Sequence, residues 1–385
     1  METLINGTKI LVIFLSMGSL VPFLVWAERR TLALMQSRLG PNRTGPLGLL
    51  QILADLVKPL MKEDFAGQAT HKGLFYLAPL LAIIPPALVF GAIPFSHPLI
   101  LPSFEFLGYA FGPYTFYFQG FNLNVGVVFA LGVSSLSAYA LLIAGWSSGN
   151  KYSLLGALRA AAQTISYELA LSLALVGLIL VFNTLDFLEM VKIQSGPLTF
   201  SFFGSEKTIP FLPGWGIFYQ PVGAFLLFIS FLAESNRVPF DLPEAEGELV
   251  AGYHTEYGGI KLILFYIGEY AHIMVASALM VTFYFGGYTF YPFLTEDSLN
   301  GLFQARMGEW AGLLTSLALF ITFLVKFFLF LFVFMWIRAT LPRFRYDQLM
   351  DLGWKTLLPW AFGNAVVTAV VIFIFDFFKR GSFFG

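Results

Sequence analysis

Long apolar runs separated by short charged segments dominate the 385-residue chain. A membrane interior about 30 Å thick requires about 20 mostly apolar residues for each helix that crosses it. Eight runs meet this requirement and predict an all-α polytopic membrane protein with eight transmembrane helices, forming a single transmembrane domain over residues 1–385. The predicted spans lie between Lys9 and Glu28, within Gly73–Phe104, and at about Leu123–Trp146, Ala160–Leu185, Ile217–Ala233, Leu262–Phe285, Trp310–Ile337 and Thr356–Phe375.

The composition agrees with this class. Hydrophobic residues make up 57% of the chain and charged residues 12%, whereas soluble domains have about 45–50% and about 25%. The absence of cysteine excludes disulfides, zinc–thiolate sites and cysteine-bound iron–sulfur clusters here, so any such cofactor belongs to a partner. The net charge of −1 gives no sign of nucleic-acid binding. No metal site is predicted, and one histidine within a span, His272, does not suffice for a pair of haems.

The distribution of Lys and Arg between the spans predicts the orientation. Loops on one side carry 15 of them and the other side carries six, and cytoplasmic loops hold the positive excess. Both termini are therefore expected on the outer side. Glu28 and the two arginines after it stand on the wrong side of the first span for a signal peptide, so that span is expected to be permanent. Without a targeting presequence, we expect a bacterial plasma membrane rather than an organellar one.

The first inner loop contains an amphipathic segment at residues 46–63. Its polar residues fall on one stripe, and it is too short and too charged to span. It is expected to lie along the inner membrane surface, and Pro59 is expected to kink or end it. A loop helix that merely packs on the bundle is the alternative. The polar stripe consists of Gln51, Asp55, Lys58 and Lys62.

Three charged residues are predicted deep in the membrane, where an ionised side chain costs about 2.5 to 3.5 kcal/mol. Glu168 lies roughly 14 Å into the fourth span, Glu269 roughly 12 Å into the sixth and Lys326 roughly 18 Å into the seventh. One interpretation is a buried ion pair that joins Lys326 to a glutamate. The other is a proton or ion path, because desolvated carboxyl groups can exchange protons near neutral pH.

The segment 234–261 is acidic, unlike the other inner loops. Six acids and a single base, Arg237, stand between its first residue and residue 256. Two prolines prevent the fifth span from continuing, so the acids are expected on irregular backbone that is buried in protein or lines a wet cavity. Acids so close together cannot all ionise cheaply, so some are expected to hold protons, although a fully solvated loop is the alternative. The acids are Glu234, Asp241, Glu244, Glu246, Glu248 and Glu256.

Motifs in every inner loop match a known pattern. They are Glu28–Arg30 with Gln36–Asn42, Lys151–Arg159 running into Gln163–Glu168, the acidic segment followed by Glu256–Tyr257 and Glu269–Tyr270, and the tail Trp336–Arg343. Together they resemble the eight-helix, quinone-site membrane subunit of proton-pumping NADH:quinone oxidoreductase, respiratory complex I. The outer loops, notably Asp186–Gly216, match nothing in that pattern.

The resemblance implies a function without catalytic groups in this chain. In that family the subunit anchors the peripheral arm and forms much of the quinone chamber, whose entrance is framed by the amphipathic helix and the first and sixth spans. Iron–sulfur clusters and FMN belong to partner subunits, and antiporter-like subunits receive the protons. Residues implied at the chamber or partner interface are Arg29, Arg38, Glu234, Arg237, Asp241, Glu244, Glu246 and Glu248; those implied in the proton path are Glu168, Glu256, Glu269 and Lys326.

The physical chemistry of quinone reduction gives a hypothesis for how the parts work together. Charge that forms on the quinone during reduction attracts protons from nearby acids, and a cluster poised by repulsion redistributes them. A homologous membrane anchor of a hydrogenase, formate hydrogenlyase or coenzyme F420 dehydrogenase is an alternative. A proton-coupled transporter acting alone would require an internal repeat, which is not found. A passive scaffold would leave the intramembrane charges unexplained.

Overall fold

Helices form most of the chain, and the predicted all-α membrane class is confirmed. The computed structural model describes residues 2–101, 104–106, 109–111, 114–202, 205–241, 251–307 and 310–381. Within these ranges, seven helical segments are long and apolar enough to cross a membrane. In chain order the helices described there are α1 (Glu2–Met35), α2 (Gln51–Leu60), α3 (Lys72–Ala92), α4 (Gly126–Ser134), α5 (Leu136–Ser147), α6 (Lys151–Phe182), α7 (Phe187–Gln194), α8 (Gly216–Tyr219), α9 (Pro221–Glu234), α10 (Gly259–Tyr284), α11 (Glu296–Met307), α12 (Ala311–Thr340), α13 (Tyr346–Asp351) and α14 (Leu358–Gly381).

The fifth predicted span is shorter than a full crossing. The helix expected over 217–233 is divided at Gln220 into α8 and α9. The 14 residues of α9 make about 21 Å of helix, against a membrane interior of about 30 Å. Pro221 stands at the first position of α9, where no backbone N–H is required, so a new helix begins there. Full length is therefore confirmed for seven of the eight predicted spans and not for this one.

Several other boundaries differ from those predicted. α1 continues through Glu28 to Met35, and α12 continues through Arg338 to Thr340. Neither charge ends its helix, because Glu28 and Arg338 form an ion pair with each other. The third span is interrupted at Ser135 between α4 and α5, and the last begins earlier than expected, at α13.

A π-helical turn, Leu352–Leu357, joins α13 to α14 and packs on α6. Within this turn, Trp354 donates from Nε1 to the Ser166 hydroxyl over 3.0 Å. The Tyr167 hydroxyl donates to the carbonyl of Leu349 over 2.9 Å. These two bonds fix the last span against the part of α6 that carries Glu168.

α10 lies at the centre of the bundle, in contact with α3, α9 and α12. Every side chain from Ile273 to Tyr284 is buried. Gly268 allows the close approach of α3, because a Cβ there would lie only 2.8 Å from the carbonyl oxygen of Ala82. The next residue, Glu269, is thereby held inside the bundle near the first turns of α10.

A short inner segment, residues 251–258, is pressed against α6. Gly156 makes this possible, since a Cβ there would lie 2.7 Å from the Cα of Gly252. Tyr257 stacks on the ring of Phe75, with centroids 4.1 Å apart. Burial raises the pKa of Tyr257 to about 12, although its hydrogen bond with Ser147 acts in the opposite direction. The tyrosine therefore stays neutral and fixes this segment beside the first turns of α10.

Antiparallel hairpins occupy the side of the bundle that is predicted to be outer. The second predicted stretch ends as helix α3 at Ala92 and continues into strand rather than membrane span. Short strands give a weak alternation signal beside apolar spans, so the sequence pattern did not indicate them. The pairs are β1 (Leu99–Leu101) with β4 (Tyr114–Phe116), β2 (Phe104–Phe106) with β3 (Tyr109–Phe111), and β5 (Pro197–Phe202) with β6 (Ser205–Pro213).

Candidate functional site

A cleft of about 740 Å³ opens between α1, α2 and the first turns of α10. Apolar side chains line much of it, together with the charged side chains of Arg29, Asp55, Lys58 and Lys62 on the side of α1 and α2. Its inner end is lined by charged and hydroxyl-bearing side chains that are mostly buried. The apolar part includes Val25, Ile52, Leu56, Leu262 and Ile263. The polar end is formed by Glu28, Arg237, Glu269, Tyr270 and Arg338. The cleft thus combines an apolar channel with a polar end, as a ligand with a long apolar tail and a polar head requires.

The amphipathic helix α2 forms one wall of this cleft. It lies within the predicted segment 46–63 and ends one residue after Pro59. Its apolar face points away from the bundle, with Leu53 58% and Leu60 59% exposed. Its polar stripe faces α1, where Asp55 forms an ion pair with Arg29. A helix with these two faces suits the position at the membrane surface that the sequence predicts.

A network of buried charges closes the polar end of the cleft. Arg338 pairs with Glu28, and the Arg237 guanidinium lies 3.6 Å from an oxygen of Glu28 and 3.6 Å from one of Glu269. The Tyr270 hydroxyl donates to Glu28 over 2.7 Å, and its ring lies 4.1 Å below Arg237 Cζ. The side chains of Glu28 and Glu269 are 5% and 11% exposed. Two carboxylates and two guanidinium groups therefore compensate each other, and of the four only Arg338, at 33% exposed, has substantial access to water.

The network continues from Glu269 into the segment 251–258. The Tyr253 hydroxyl donates to Glu269 Oε1 over 3.1 Å, and His254 Nε2 lies 4.0 Å from the same oxygen. Nearby, Arg343 donates to buried Asp241 over 2.7 Å. The Arg343–Asp241 contact connects the loop before residues 242–250 to the connection between α12 and α13, and the Tyr253 and His254 contacts connect the segment after those residues to α10.

Two small cavities extend from the network towards the middle of the bundle. Each has about 20 Å³, which is room for about one water molecule. Glu269, Glu234 and His272 line the first, and Glu234, His272 and Ser134 line the second. Glu168 lies on α6, which packs against α9, the helix that ends at Glu234. Carboxyl groups and cavities thus alternate from the cleft into the bundle, an arrangement that suits proton transfer through water.

Only some of the site residues predicted from the sequence lie together in the structure. Arg29 and Arg237 line the cleft, whereas Arg38 is exposed and stands outside the described lining. Glu256 accepts a hydrogen bond of 2.8 Å from Asn150, which stands at the beginning of α6. The remaining acids of the loop, Glu244, Glu246 and Glu248, lie outside the described residues.

Sequence reasoning missed part of the network. Glu28 and Arg338 were treated as charges that end spans, although each lies inside a longer helix. Tyr270 and Arg343 entered only as parts of motifs. For Glu28, the signal that was available is the helix-forming run after it, Thr31–Met35, which continues α1.

Lys326 lies at the opposite end of α10 from the cleft. Its Nζ donates to the carbonyls of Phe285, Gly287 and Thr289 over 2.6, 3.2 and 2.6 Å. Three carbonyl acceptors match the three N–H groups of an ammonium. Within the described part of the chain it pairs with no carboxylate, so the ion pair considered from sequence is not observed there. These contacts favour a role in holding the end of α10.

We expect Lys326→Met to reduce the amount of assembled protein in the membrane several-fold. Three backbone carbonyls would lose their partner, and a buried group left without one costs about 1–3 kcal/mol. Membrane content can be measured by immunoblotting and native electrophoresis. Lys355→Met is the control, since the Lys355 side chain is 73% exposed. Normal assembly with loss of proton pumping would instead make Lys326 a proton carrier.

Comparison with known proteins identifies the family. A family model described as NADH dehydrogenase matches residues 8–369. The chain belongs to the NADH dehydrogenase family. It is 58% identical over 376 residues to the H subunit of NADH-quinone oxidoreductase from Bdellovibrio bacteriovorus, with 97% of each chain covered. The resemblance to a membrane subunit of complex I, drawn from the inner loops, is thereby confirmed.

Other members of the NADH dehydrogenase family are similar over nearly the same length. One of the H subunits of NADH-quinone oxidoreductase from Geobacter sulfurreducens is 43% identical over 372 residues, covering 97% of this chain and 98% of its own. The H subunit from Salinibacter ruber is 42% identical over 352 residues, covering 91% of each chain. The similarity therefore includes the elements that form the cleft and the buried network.

Proposed function

We propose that the cleft is the membrane entrance of a quinone-binding chamber and that this chain forms much of that chamber in NADH:quinone oxidoreductase. The volume of about 740 Å³ falls within the range of about 300–1,000 Å³ that is usual for ligand pockets. The apolar side chains that line much of the cleft suit an isoprenoid tail, which reaches the protein through the membrane. The polar end suits a quinone head group, whose two carbonyl oxygens accept hydrogen bonds.

Electrons reach the quinone from outside this chain. Reduction of the head group to the quinol requires two electrons and two protons. With no cysteine available, the chain cannot bind an iron–sulfur cluster through thiolates. Iron–sulfur clusters are therefore expected in partner subunits of the peripheral arm, where the resemblance also implies FMN. This chain anchors that arm through its inner loops, where Arg38 is exposed and available to a partner.

The buried acids of this chain transfer the protons that accompany quinone reduction. Negative charge arriving at the head group attracts protons and disturbs the balance among Glu28, Arg237 and Glu269. Glu234 is next along the cavities, and Glu168 lies beyond it. A shift in protonation passes along this series towards the antiporter-like membrane subunits and couples quinone reduction to proton translocation. The acids Glu244, Glu246 and Glu248 belong to the chamber side of the same series.

The proposed location is the inner membrane of a bacterium, with both termini on the outer side. The excess of Lys and Arg on the opposite side supports this orientation, as does the apolar outward face of α2 for contact with lipid of the inner leaflet. The relatives reported above carry the name NADH-quinone oxidoreductase. That name favours the quinone enzyme over an anchor subunit of a hydrogenase or a related complex.

The observation that carries the proposal is the meeting of α1, α2 and α10 around one cleft with a polar end. We expect a photoreactive quinone analogue, bound to the assembled complex, to label peptides that contain residues 21–32, 52–62 and 259–270. Mass spectrometry of the digested subunit identifies the labelled peptides. An excess of unmodified quinone is expected to abolish this labelling. Labelling that resists competition, or that leaves all three peptides unmodified, would contradict a quinone site in the cleft.

A further inference from the structure

The wall-forming helix α2 depends on contacts near its two ends. No residue of α2 is buried, so little apolar packing holds it in place. Towards its beginning, α1 provides the attachment, because Arg30 and Trp26 donate to the carbonyl of Leu47 over 2.8 and 3.3 Å. The Arg29–Asp55 ion pair lies on the same side. The segment that follows α2 has a separate attachment, to α10.

That second attachment is centred on Lys261, in the first turn of α10. Its side chain is 7% exposed, and its Nζ lies 2.6 Å from Asp64 Oδ1. The ammonium also donates to the carbonyl of Phe65 over 3.0 Å. The rings of Phe75 and Tyr76 flank it, with centroids at 4.5 and 4.7 Å. The Tyr76 hydroxyl completes the group by donating to Asp64 over 3.1 Å.

A buried cation at this position requires its carboxylate partner. The first turn of a helix carries the positive end of its dipole, which disfavours a lysine there. The two rings and the Phe65 carbonyl attract the ammonium, but only Asp64 offers it a negative charge in this group. The hydrogen bond from Lys261 holds the pKa of Asp64 below its ordinary value. The Asp64 carboxylate is therefore ionised at neutral pH, and its ion pair with Lys261 is formed.

The pair stands beside the mouth of the cleft. Pro59 and Lys62, at the end of α2, line the cleft opposite Gly259, at the start of α10. The two helices approach closely here, since a Cβ on Gly259 would lie 3.5 Å from the Pro59 carbonyl oxygen. Asp64 follows Lys62 by two residues, and Lys261 follows Gly259 by two. The ion pair thus fastens together the two walls of the mouth.

We propose that the Asp64–Lys261 pair is a clamp that sets the width of the mouth and thereby how tightly the isoprenoid tail of a quinone is held. This inference rests on the proposed function of the cleft as the quinone entrance. The head group binds at the far, polar end, so Asp64 and Lys261 are positioning residues that act through α2. Loosening α2 reduces the apolar surface that the tail buries, and tail binding weakens in proportion to that surface.

The test is Asp64→Asn in the assembled complex, with steady-state kinetics on two substrates. With a quinone that carries a long isoprenoid tail, we expect the KM to rise about tenfold and the kcat to stay within about twofold. With a quinone analogue that lacks the tail, we expect both constants to be unchanged. Glu63→Gln is the matched control, because it removes the same charge from the exposed neighbouring residue.

Tyr76→Phe is a second, milder variant, which removes only the hydroxyl bonded to Asp64. We expect a smaller rise in KM, about twofold to threefold, again only for the long-tailed quinone. It keeps the test informative if Asp64→Asn does not assemble. Three outcomes would each contradict the proposed clamp. They are equal changes in KM for both quinones, no change for either quinone, and the same change in Glu63→Gln as in Asp64→Asn.

The clamp and the quinone entrance can fail separately. If the cleft is not the entrance, the photoreactive quinone will not label the three peptides described above, whatever Asp64→Asn does. If the entrance is correct and the clamp is not, those peptides will be labelled while Asp64→Asn leaves the KM for the long-tailed quinone unchanged.

Discussion

Glu28→Gln is expected to lower the NADH:quinone reductase activity of the assembled complex by about tenfold or more. Removing one partner of a buried ion pair typically costs about 3–5 kcal/mol, because the remaining charge is left uncompensated. Arg338 would lose the carboxylate that it pairs with, and Arg237 would lose one of the two carboxylates described beside it. The polar end of the cleft would reorganise at the place proposed for the quinone head group. Activity can be followed by NADH oxidation with quinone as acceptor.

Two comparisons make this result specific to the buried network. NADH oxidation with the water-soluble acceptor ferricyanide is expected to stay normal, because it bypasses the quinone. Asp351→Asn removes a carboxylate whose pair with Lys355 is exposed, at 61% and 73%, and such surface pairs contribute about 0–1 kcal/mol. Its activity is expected within about twofold of the unmodified protein. Full activity in Glu28→Gln would remove the network from the quinone site.

Glu234→Gln is expected to lower proton translocation and quinone reduction together by about a hundredfold, the usual effect of losing a positioned proton-transfer group. Glutamine has nearly the same shape as glutamate but cannot carry the proton between the two small cavities. Reduction would then lack the proton redistribution that follows charge on the head group. The measurement is proton uptake into proteoliposomes together with the rate of NADH oxidation.

Glu189→Gln is the control for this variant. Glu189 accepts a hydrogen bond from Thr184 on the side predicted to be outer, and it lines neither of the two small cavities. Both rates are expected to be unchanged. A Glu234→Gln complex that keeps normal rates of both proton translocation and NADH oxidation would exclude Glu234 from the path. Loss of pumping with full quinone reduction would contradict the obligatory coupling proposed here.

Features with a local cause could be predicted from sequence. Spans follow from runs of apolar residues, and α2 follows from its helical spacing of polar residues, so both need only neighbouring positions. The depth of Glu269 followed from its distance along one helix. The same reasoning identified the fifth span but not its length, because the break at Gln220 depends on how α8 and α9 pack on α6 and α10.

Pairings between distant residues could not be predicted. Glu28 and Arg338 are separated by 310 positions, and nothing in either local pattern indicates the other. Charges at helix ends are usually exposed, so both were interpreted as boundaries rather than as a pair. The contacts of Lys326 were also missed, because its acceptors are backbone carbonyls. Backbone groups leave no trace in the pattern of side chains.

The three carbonyls around Lys326 affect how this end of the protein responds to dissolved ions. Convergent backbone carbonyls are the surroundings in which proteins dehydrate potassium and sodium. Here the charge that fills the ring is part of the polypeptide itself. We therefore expect the far end of α10 to hold its shape equally well in potassium and in sodium.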